Sequence, residues 1–342
     1  MSTTTEMPAV VFGDDGREHT RDVPIPSAGQ GEVLVQVDYC GICGSDLHAR
    51  APEYRFGVVM GHEFAGEIVE VGPHVTGWQV GDRACVNPNG EWCGTCVHCQ
   101  AGHYNMCPGI LPNVVGIARN GGMARYATVP VRTLHRLPES VSTKQGAWVE
   151  PAAVAIRTVR TSGIKVGDPA VVFGGGPIGL LVICMLRWAG AGNITAIEPS
   201  PFRRRLAGTC GADEVIDPRS EDVVERFADP LVAPNHAFDC TGVPTVVDTA
   251  LQVLAPHGRL TVTGLAQDHP SYNAELLVLK ELEIRGSFIY VDEFEMAIDL
   301  LGRGAIDVDV LTTKVRPVAS ALDSFMAMRN GDEALKILLR DW

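Results

Sequence analysis

Ala170-Val-Val-Phe-Gly-Gly-Gly-Pro-Ile-Gly-Leu180 is the stretch whose reading decides the fold. Ala170–Phe173 is a short apolar run rich in β-branched residues, the signature of a strand buried on both faces. Gly174, Gly176 and Gly179 follow at once, with Pro177 and Ile178 between them, and a helical run Leu180–Ala189 comes next. Strand, glycine turn and helix in that order form a dinucleotide-binding fingerprint: Gly174 for the tight turn, Gly176 for close approach of backbone to pyrophosphate, Gly179 for helix–strand packing. The amides opening the helix suit phosphate.

Glu198 stands about 20 residues past Gly179, where the fingerprint places an acidic residue, at the end of a second apolar run, Ile194–Ile197. A carboxylate there accepts hydrogen bonds from the ribose hydroxyls of NAD and repels the 2′-phosphate of NADP. Ser200 and Arg203-Arg-Arg205 pull the other way, since they could hold a phosphate. The shorter-range carboxylate favours NAD(H). Further strand-like runs at Glu214–Asp217, His236–Cys240, Arg259–Thr263 and Leu282–Gly286 alternate with helical ones, which means a parallel sheet with right-handed crossovers. Asp239, in Phe-Asp-Cys-Thr-Gly, reads as closing a strand.

N-terminal to this region the texture is β. Val33–Val37, Phe64–Ala65, Glu67–Val71, Ala84–Val86, Met123–Pro130 and Thr133–Leu137 read as short strands separated by turns. Within it, Cys93, Cys96, Cys99 and Cys107 follow the pattern C-x2-C-x2-C-x7-C. The intervening residues are polar and glycine-rich, so they lack a core of their own. Four thiolates at that spacing can close a tetrahedral shell around one Zn²⁺ and fold the loop. Disulfides would need an oxidising compartment, and Met1–Pro8 has no apolar leader-like segment. An iron–sulfur cluster is not excluded by spacing alone.

Bulk composition sets outer limits. The 342 residues suffice for two domains, with 46% apolar and 20% charged residues. The formal net charge of −13 argues against nucleic acid and anionic membrane as partners. No apolar run reaches a membrane-spanning length. Ten cysteines without an export signal suit a reducing cytoplasm.

Three further segments carry a resemblance. They are Gly41-Ile-Cys43-Gly-Ser45-Asp46-Leu-His48, the pattern Gly61-His62-Glu63-x2-Gly66-x5-Gly72-x2-Val75, and Trp148-Val-Glu150-Pro-Ala152. Together with the four-cysteine lobe they resemble the zinc-dependent medium-chain dehydrogenases, over essentially the whole chain. Glu150-Pro at the third position is similar to the polyol and secondary-alcohol branch, whereas the liver-type alcohol dehydrogenases carry a cysteine there.

The resemblance implies an α/β architecture. A GroES-like β domain over residues 1–151 carries the structural-zinc lobe at about 90–110. A Rossmann domain covers 152–288, a C-terminal segment 289–342 completes the first domain, and the active site lies in the interdomain cleft. It also implies two zinc ions per chain. The catalytic one is held by Cys43, His62 and Glu150, with Glu63 as the alternative ligand; the structural one by the four lobe cysteines. Two anionic ligands against a divalent ion leave a neutral centre with one open position for an alcohol. Ser45 and His48 form the implied proton relay, Asp46 orients His62, and Lys336 reaches the cofactor pyrophosphate.

The expected activity is hydride transfer between NAD(H) and a secondary alcohol or its ketone, with a polyol, sugar-like or cyclitol substrate. The alternative is an NADPH-dependent aldehyde or ketone reductase. A non-catalytic member is a third reading, opposed by the intact ligand set. Tyr54, Phe56, Trp92 and Trp148 are candidates for the pocket wall or for core. A homo-oligomer, dimer or tetramer, is expected, with Leu260–Leu265 and Ile284–Ile289 as candidate contact stretches.

Overall fold

A computed structural model describes residues 5–49, 54–266, 268–331 and 334–342. The chain divides into two compact units. The first contains Met1–Glu150, Phe294–Arg303 and Asp307–Trp342, and the second contains Pro151–Glu293 with Gly304–Ile306.

Along the chain, the first unit contributes β1 (Glu6–Phe12), β2 (Glu18–Pro24), β3 (Glu32–Gly41), β4 (Glu63–Val71), β5 (Arg83–Val86), β6 (Tyr126–Pro130) and β7 (Leu134–Arg136). The second contributes β8 (Ala170–Phe173), β9 (Ile194–Ile197), β10 (Glu214–Ile216), β11 (His236–Asp239), β12 (Arg259–Val262) and β13 (Glu283–Gly286). Two strands, β14 (Lys314–Pro317) and β15 (Ile337–Arg340), return to the first unit.

The first unit is built on a mostly antiparallel sheet in the order β14-β15-β3-β4-β5-β7, with β6 also paired to β3. Val33, Val35, Phe64, Ile68, Phe325, Ile337 and Leu339 are buried together in its core. The runs Phe64–Ala65 and Glu67–Val71, read separately in the sequence, form one strand. Gly66 is the reason: a Cβ there would lie 1.9 Å from the carbonyl oxygen of Gln36 on the neighbouring strand. This glycine permits close pairing rather than ending a strand. The β1–β2 hairpin was not legible, because Glu18–Pro24 is polar and largely exposed, and only its partner strand is apolar.

The pairing of β15 with β3 positions the chemistry. Leu338 lies opposite Gly41, and Gly41 lies opposite Glu63 on β4. The end of the chain therefore sits beside the segment that leads into Cys43.

The second unit holds a sheet in the order β10-β9-β8-β11-β12-β13, with every neighbouring pair parallel. This is the doubly wound order. β8, β9 and β11 are buried along their whole length, β8 as an unbroken apolar run and the other two with Thr195, His236 and Asp239 among apolar residues. The strand order reverses between β8 and β11, so the loops leaving these two strands meet at the topological switch point. Of the candidate contact stretches, Leu260 is core, whereas Leu265, Ile284 and Phe288 are exposed. Among the described residues no helix is long and apolar enough to cross a membrane.

Candidate functional site

Two groups of metal-ligating side chains converge among the described residues, both in the first unit. The first is Cys93, Cys96, Cys99 and Cys107, whose sulfurs all lie within 4.8 Å of one another. Backbone amides point at these sulfurs. Cys96 donates to Cys93 Sγ at 3.3 Å, Cys93 and Gly109 each donate to Cys107 Sγ at 3.3 Å, and Cys99 donates to Cys96 Sγ at 3.5 Å.

Hydrogen bonds from the Thr95 amide and hydroxyl, with others, bring the Cys93 thiol down to about 5. Burial and the neighbouring sulfurs push Cys99 up to about 12. Four such sulfurs do not ionise together unless a cation compensates them, so the set fits a closed zinc site. The lobe's own apolar cluster is small, Cys99, Cys107, Ile110 and Val114, with Trp92 stacked on Tyr104 at 5.0 Å. None of the ten cysteines is in a disulfide.

The second group is Cys43, His62 and Glu63, whose ligand atoms also lie within 4.8 Å of one another. Cys43 caps the short helix Gly44–Leu47, and Asp46 of that helix returns Oδ2 to the Cys43 amide at 3.0 Å. Asp46 is fully buried, and burial pushes its carboxyl pKa up. His62 Nδ1 lies 3.5 Å from Asp46 Oδ1 and has no closer partner, while Nε2 faces Ser45 Oγ at 3.5 Å. Burial of the imidazole opposes protonation, but the charges of Asp46 and Cys43 outweigh it and raise the His62 pKa well above its usual value. A pocket this anionic, with a soft sulfur and an imidazole, fits a divalent cation in place of that proton.

Glu63 is not alone. Its Oε2 pairs with Lys336 Nζ, both side chains being buried, and the ammonium lies over the Trp148 ring at 5.6 Å. Gly41 makes room for the pair: a Cβ there would stand 2.3 Å from Glu63 Oε2 and 3.0 Å from Lys336 Cε. The expectation that Lys336 meets a pyrophosphate is therefore corrected, since its ammonium is buried on Glu63. Nothing in the local sequence signals this pairing, which depends on β15 lying beside β3.

Glu150 is buried in the first turn of the helix Val149–Ser162. It falls outside the 4.8 Å group, yet its charge acts on both His62 and Lys336. His48 is exposed at the C-terminal end of the Gly44–Leu47 helix. Of the aromatic candidates, Trp148 is core and donates Nε1 to Thr312 at 3.1 Å, Trp92 belongs to the lobe, and Phe56 is half-exposed. Tyr54 is buried, and its hydroxyl reaches Asp46 Oδ1 at 2.9 Å, a role beyond pocket wall or core.

In the second unit, Gly174 leaves β8 with φ +98°. A Cβ on Gly179 would strike the Gly174 carbonyl at 1.9 Å, whereas one on Gly176 would meet nothing within 4 Å. Gly176 caps the helix Pro177–Trp188 without a side-chain hydrogen bond, and Ile178 lies in its first turn. The turn thus leaves open space beside Gly176 at a helix N-terminus without a side-chain cap, as a phosphate requires.

Glu198 is buried at the end of β9. Its Oε2 accepts the Gly175 amide at 2.6 Å, and its Oε1 accepts the Ser200 amide at 2.7 Å. Arg203 packs its Cβ towards Gly175, whereas Arg204 donates to the Glu198 and Pro199 carbonyls and pairs with Asp217. Asp239 accepts the Thr241 amide and hydroxyl, closing its own strand.

Comparison with known proteins agrees with this construction. A family model described as alcohol dehydrogenase GroES-like domain matches residues 29–139, and one described as zinc-binding dehydrogenase matches residues 177–303. The chain is 37% identical over 336 residues to the (R,R)-butanediol dehydrogenase of Bacillus subtilis (strain 168), covering 92% of this chain and 94% of that one. It is 31% identical over 342 residues to the sorbitol dehydrogenase of Halalkalibacterium halodurans, covering 97% and 99%. The crystal structure of a zinc-binding dehydrogenase from Sinorhizobium meliloti 1021 bound to NADP matches with a TM-score of 0.92 and 33% identity, covering 98% of this chain and all of that one. With two zinc-suited ligand groups and a dinucleotide turn already in place, these likenesses are decisive: the chain belongs to the zinc-binding dehydrogenases of alcohol dehydrogenase type and is an oxidoreductase of that family.

Proposed function

We propose that the protein is an NAD-dependent dehydrogenase that interconverts a secondary alcohol of diol or polyol type with its ketone. The observation that carries this reading is the convergence of Cys43 and His62, with Glu63 paired to Lys336 and the Glu150 charge acting on His62, in a chain that also carries a dinucleotide turn. Its relatives that act on butanediol and sorbitol support the substrate class.

Cys43, His62 and Glu150 would hold the catalytic zinc. The Lys336 ammonium already neutralises Glu63, so Glu150 is the carboxylate left to balance the ion. Cys93, Cys96, Cys99 and Cys107 would hold the second, structural zinc. When bound, the catalytic zinc supplies Lewis acidity that eases loss of an alcohol proton, and NAD⁺ supplies the hydride acceptor. Ser45, beside His62 Nε2, takes the proton, and exposed His48 delivers it to water. Gly174, Gly176 and the amides opening the Pro177–Trp188 helix hold the pyrophosphate. Glu198 opposes a 2′-phosphate. A reducing compartment suits the thiolates, and the exposed Leu265, Ile284 and Phe288 suit assembly into a homo-oligomer.

A second reading, use of NADP(H), is favoured by Arg203 beside the glycine turn and by the structural neighbour bound to NADP. Rates of NAD⁺ and NADP⁺ reduction on a panel of vicinal diols, polyols and cyclitols decide. Reduction of NAD⁺ with a diol or polyol is the expected result. A preference for NADP⁺ establishes the second reading, and inactivity of the zinc-loaded protein with both cofactors on the whole panel defeats the proposed substrate class.

A further inference from the structure

Asp46 is held by more than the residue it serves. Its Oδ2 accepts the Cys43 amide at 3.0 Å, and its Oδ1, which lies 3.5 Å from His62 Nδ1, accepts the Tyr54 hydroxyl at 2.9 Å. Tyr54 and Asp46 are both buried. The Tyr54 oxygen also lies 3.4 Å from Ser45 Oγ, which stands 3.5 Å from His62 Nε2. Ser45, Tyr54, Asp46 and His62 thus form a closed ring of polar contacts around the imidazole.

Proton counting gives the ring a direction. A phenol has one proton, and Tyr54 gives it to Asp46 Oδ1 at 2.9 Å, its nearer partner. Ser45 Oγ, 3.4 Å from the Tyr54 oxygen, is its longer and weaker contact. We infer that Tyr54 is a positioning residue of the catalytic pocket. Through Asp46 it fixes the ring orientation of His62, and its oxygen stands against Ser45 Oγ on the other side of the imidazole.

This rests on the assignment of Cys43 and His62 as zinc ligands, and the test separates the two. Zinc affinity is measured by chelator competition on the full chain, wild type and Tyr54→Phe, alongside kcat, KM and Tm. Phe keeps the ring contact with Phe12, whose centroid is 5.4 Å away, and removes only the hydroxyl. The expected result is a loss of about 10-fold or more in affinity for one zinc and in kcat, typical for groups that orient a metal-binding histidine. The lobe zinc, KM and Tm should stay nearly unchanged. In an Asp46→Asn background, Tyr54→Phe should add less than about twofold to the loss of zinc affinity.

Zinc affinity and kcat of Tyr54→Phe both within about twofold of wild type would overturn the inference while leaving the ligand assignment intact. A Tm lower by more than about 10 °C would assign the hydroxyl to the fold and overturn it too. A wild-type protein that binds only the lobe zinc defeats the ligand assignment and the inference together.

Discussion

Lys336 and Glu63 are 273 positions apart in sequence and form a buried ion pair directly behind the Cys43–His62 pocket. The C-terminal segment therefore completes the electrostatics of a pocket whose other groups come from the first half of the chain. Removing one partner leaves an uncompensated buried charge, which costs about 3–5 kcal/mol. Lys336→Met should accordingly lower the unfolding free energy by that order in denaturant titration. A loss below about 1 kcal/mol would show that Glu63 takes up a proton or another partner at little cost.

Gly41 tests the same relationship from the other side. A methyl group at this position would overlap the Glu63 carboxylate. Gly41→Ala should destabilise the fold, and the double variant Gly41→Ala/Glu63→Ala should recover part of the loss beyond additivity. Strict additivity would mean that the two residues do not compete for space.

Glu198 has two duties that a single substitution separates. On the proposed reading its carboxylate would repel a 2′-phosphate, while its two oxygens hold the Gly175 and Ser200 amides. Glu198→Ala should shift the ratio of kcat/KM for NADP⁺ over NAD⁺ upward by about 10-fold or more, equivalent to losing a charge repulsion of about 1.4 kcal/mol or more. It should also weaken NAD⁺ itself, because the glycine turn loses its anchor. An unchanged ratio would assign cofactor choice to other residues.

Glu18 on β2 and Arg329 on the helix Ala321–Asn330 make a two-pronged pair at 2.5 and 2.8 Å. Burial of the Glu18 carboxyl opposes ionisation, but the hydrogen bond and charge of Arg329 outweigh it and hold its pKa below the usual 4.5. The folded value is thus below the unfolded one. The pair's contribution is fully present above the unfolded pKa and is lost as pH falls through the folded value. Arg329 is partly exposed, so solvent screening limits the gain to about 1 kcal/mol. Arg329→Ala should cost that much at pH 7 and nothing at a pH below the folded pKa; an equal cost at both would contradict the linkage.

Much of this architecture was legible because local physics repeated itself. β8 is buried on both faces and reads as an unbroken hydrophobic segment, and β9 and β11, equally buried, keep enough apolar residues to read as strands. The lobe cysteines and the glycine turn are local in sequence, and spacing alone exposes them. What escaped reading was settled by pairing at long range: the Lys336–Glu63 pair, the room left by Gly41 and Gly66, and the polar strand β2. Tyr54 escaped for another reason. A buried tyrosine reads as core, and only its hydroxyl, placed against Asp46, shows otherwise.

The central claim is that Cys43 and His62 hold a zinc distinct from the one in the lobe. Elemental analysis of purified wild-type and Cys43→Ser protein tests it most directly. The account predicts two zinc ions per chain in the wild type and one in Cys43→Ser, with the loss of alcohol-dependent NAD⁺ reduction. One zinc in both proteins, or two in both, would contradict it.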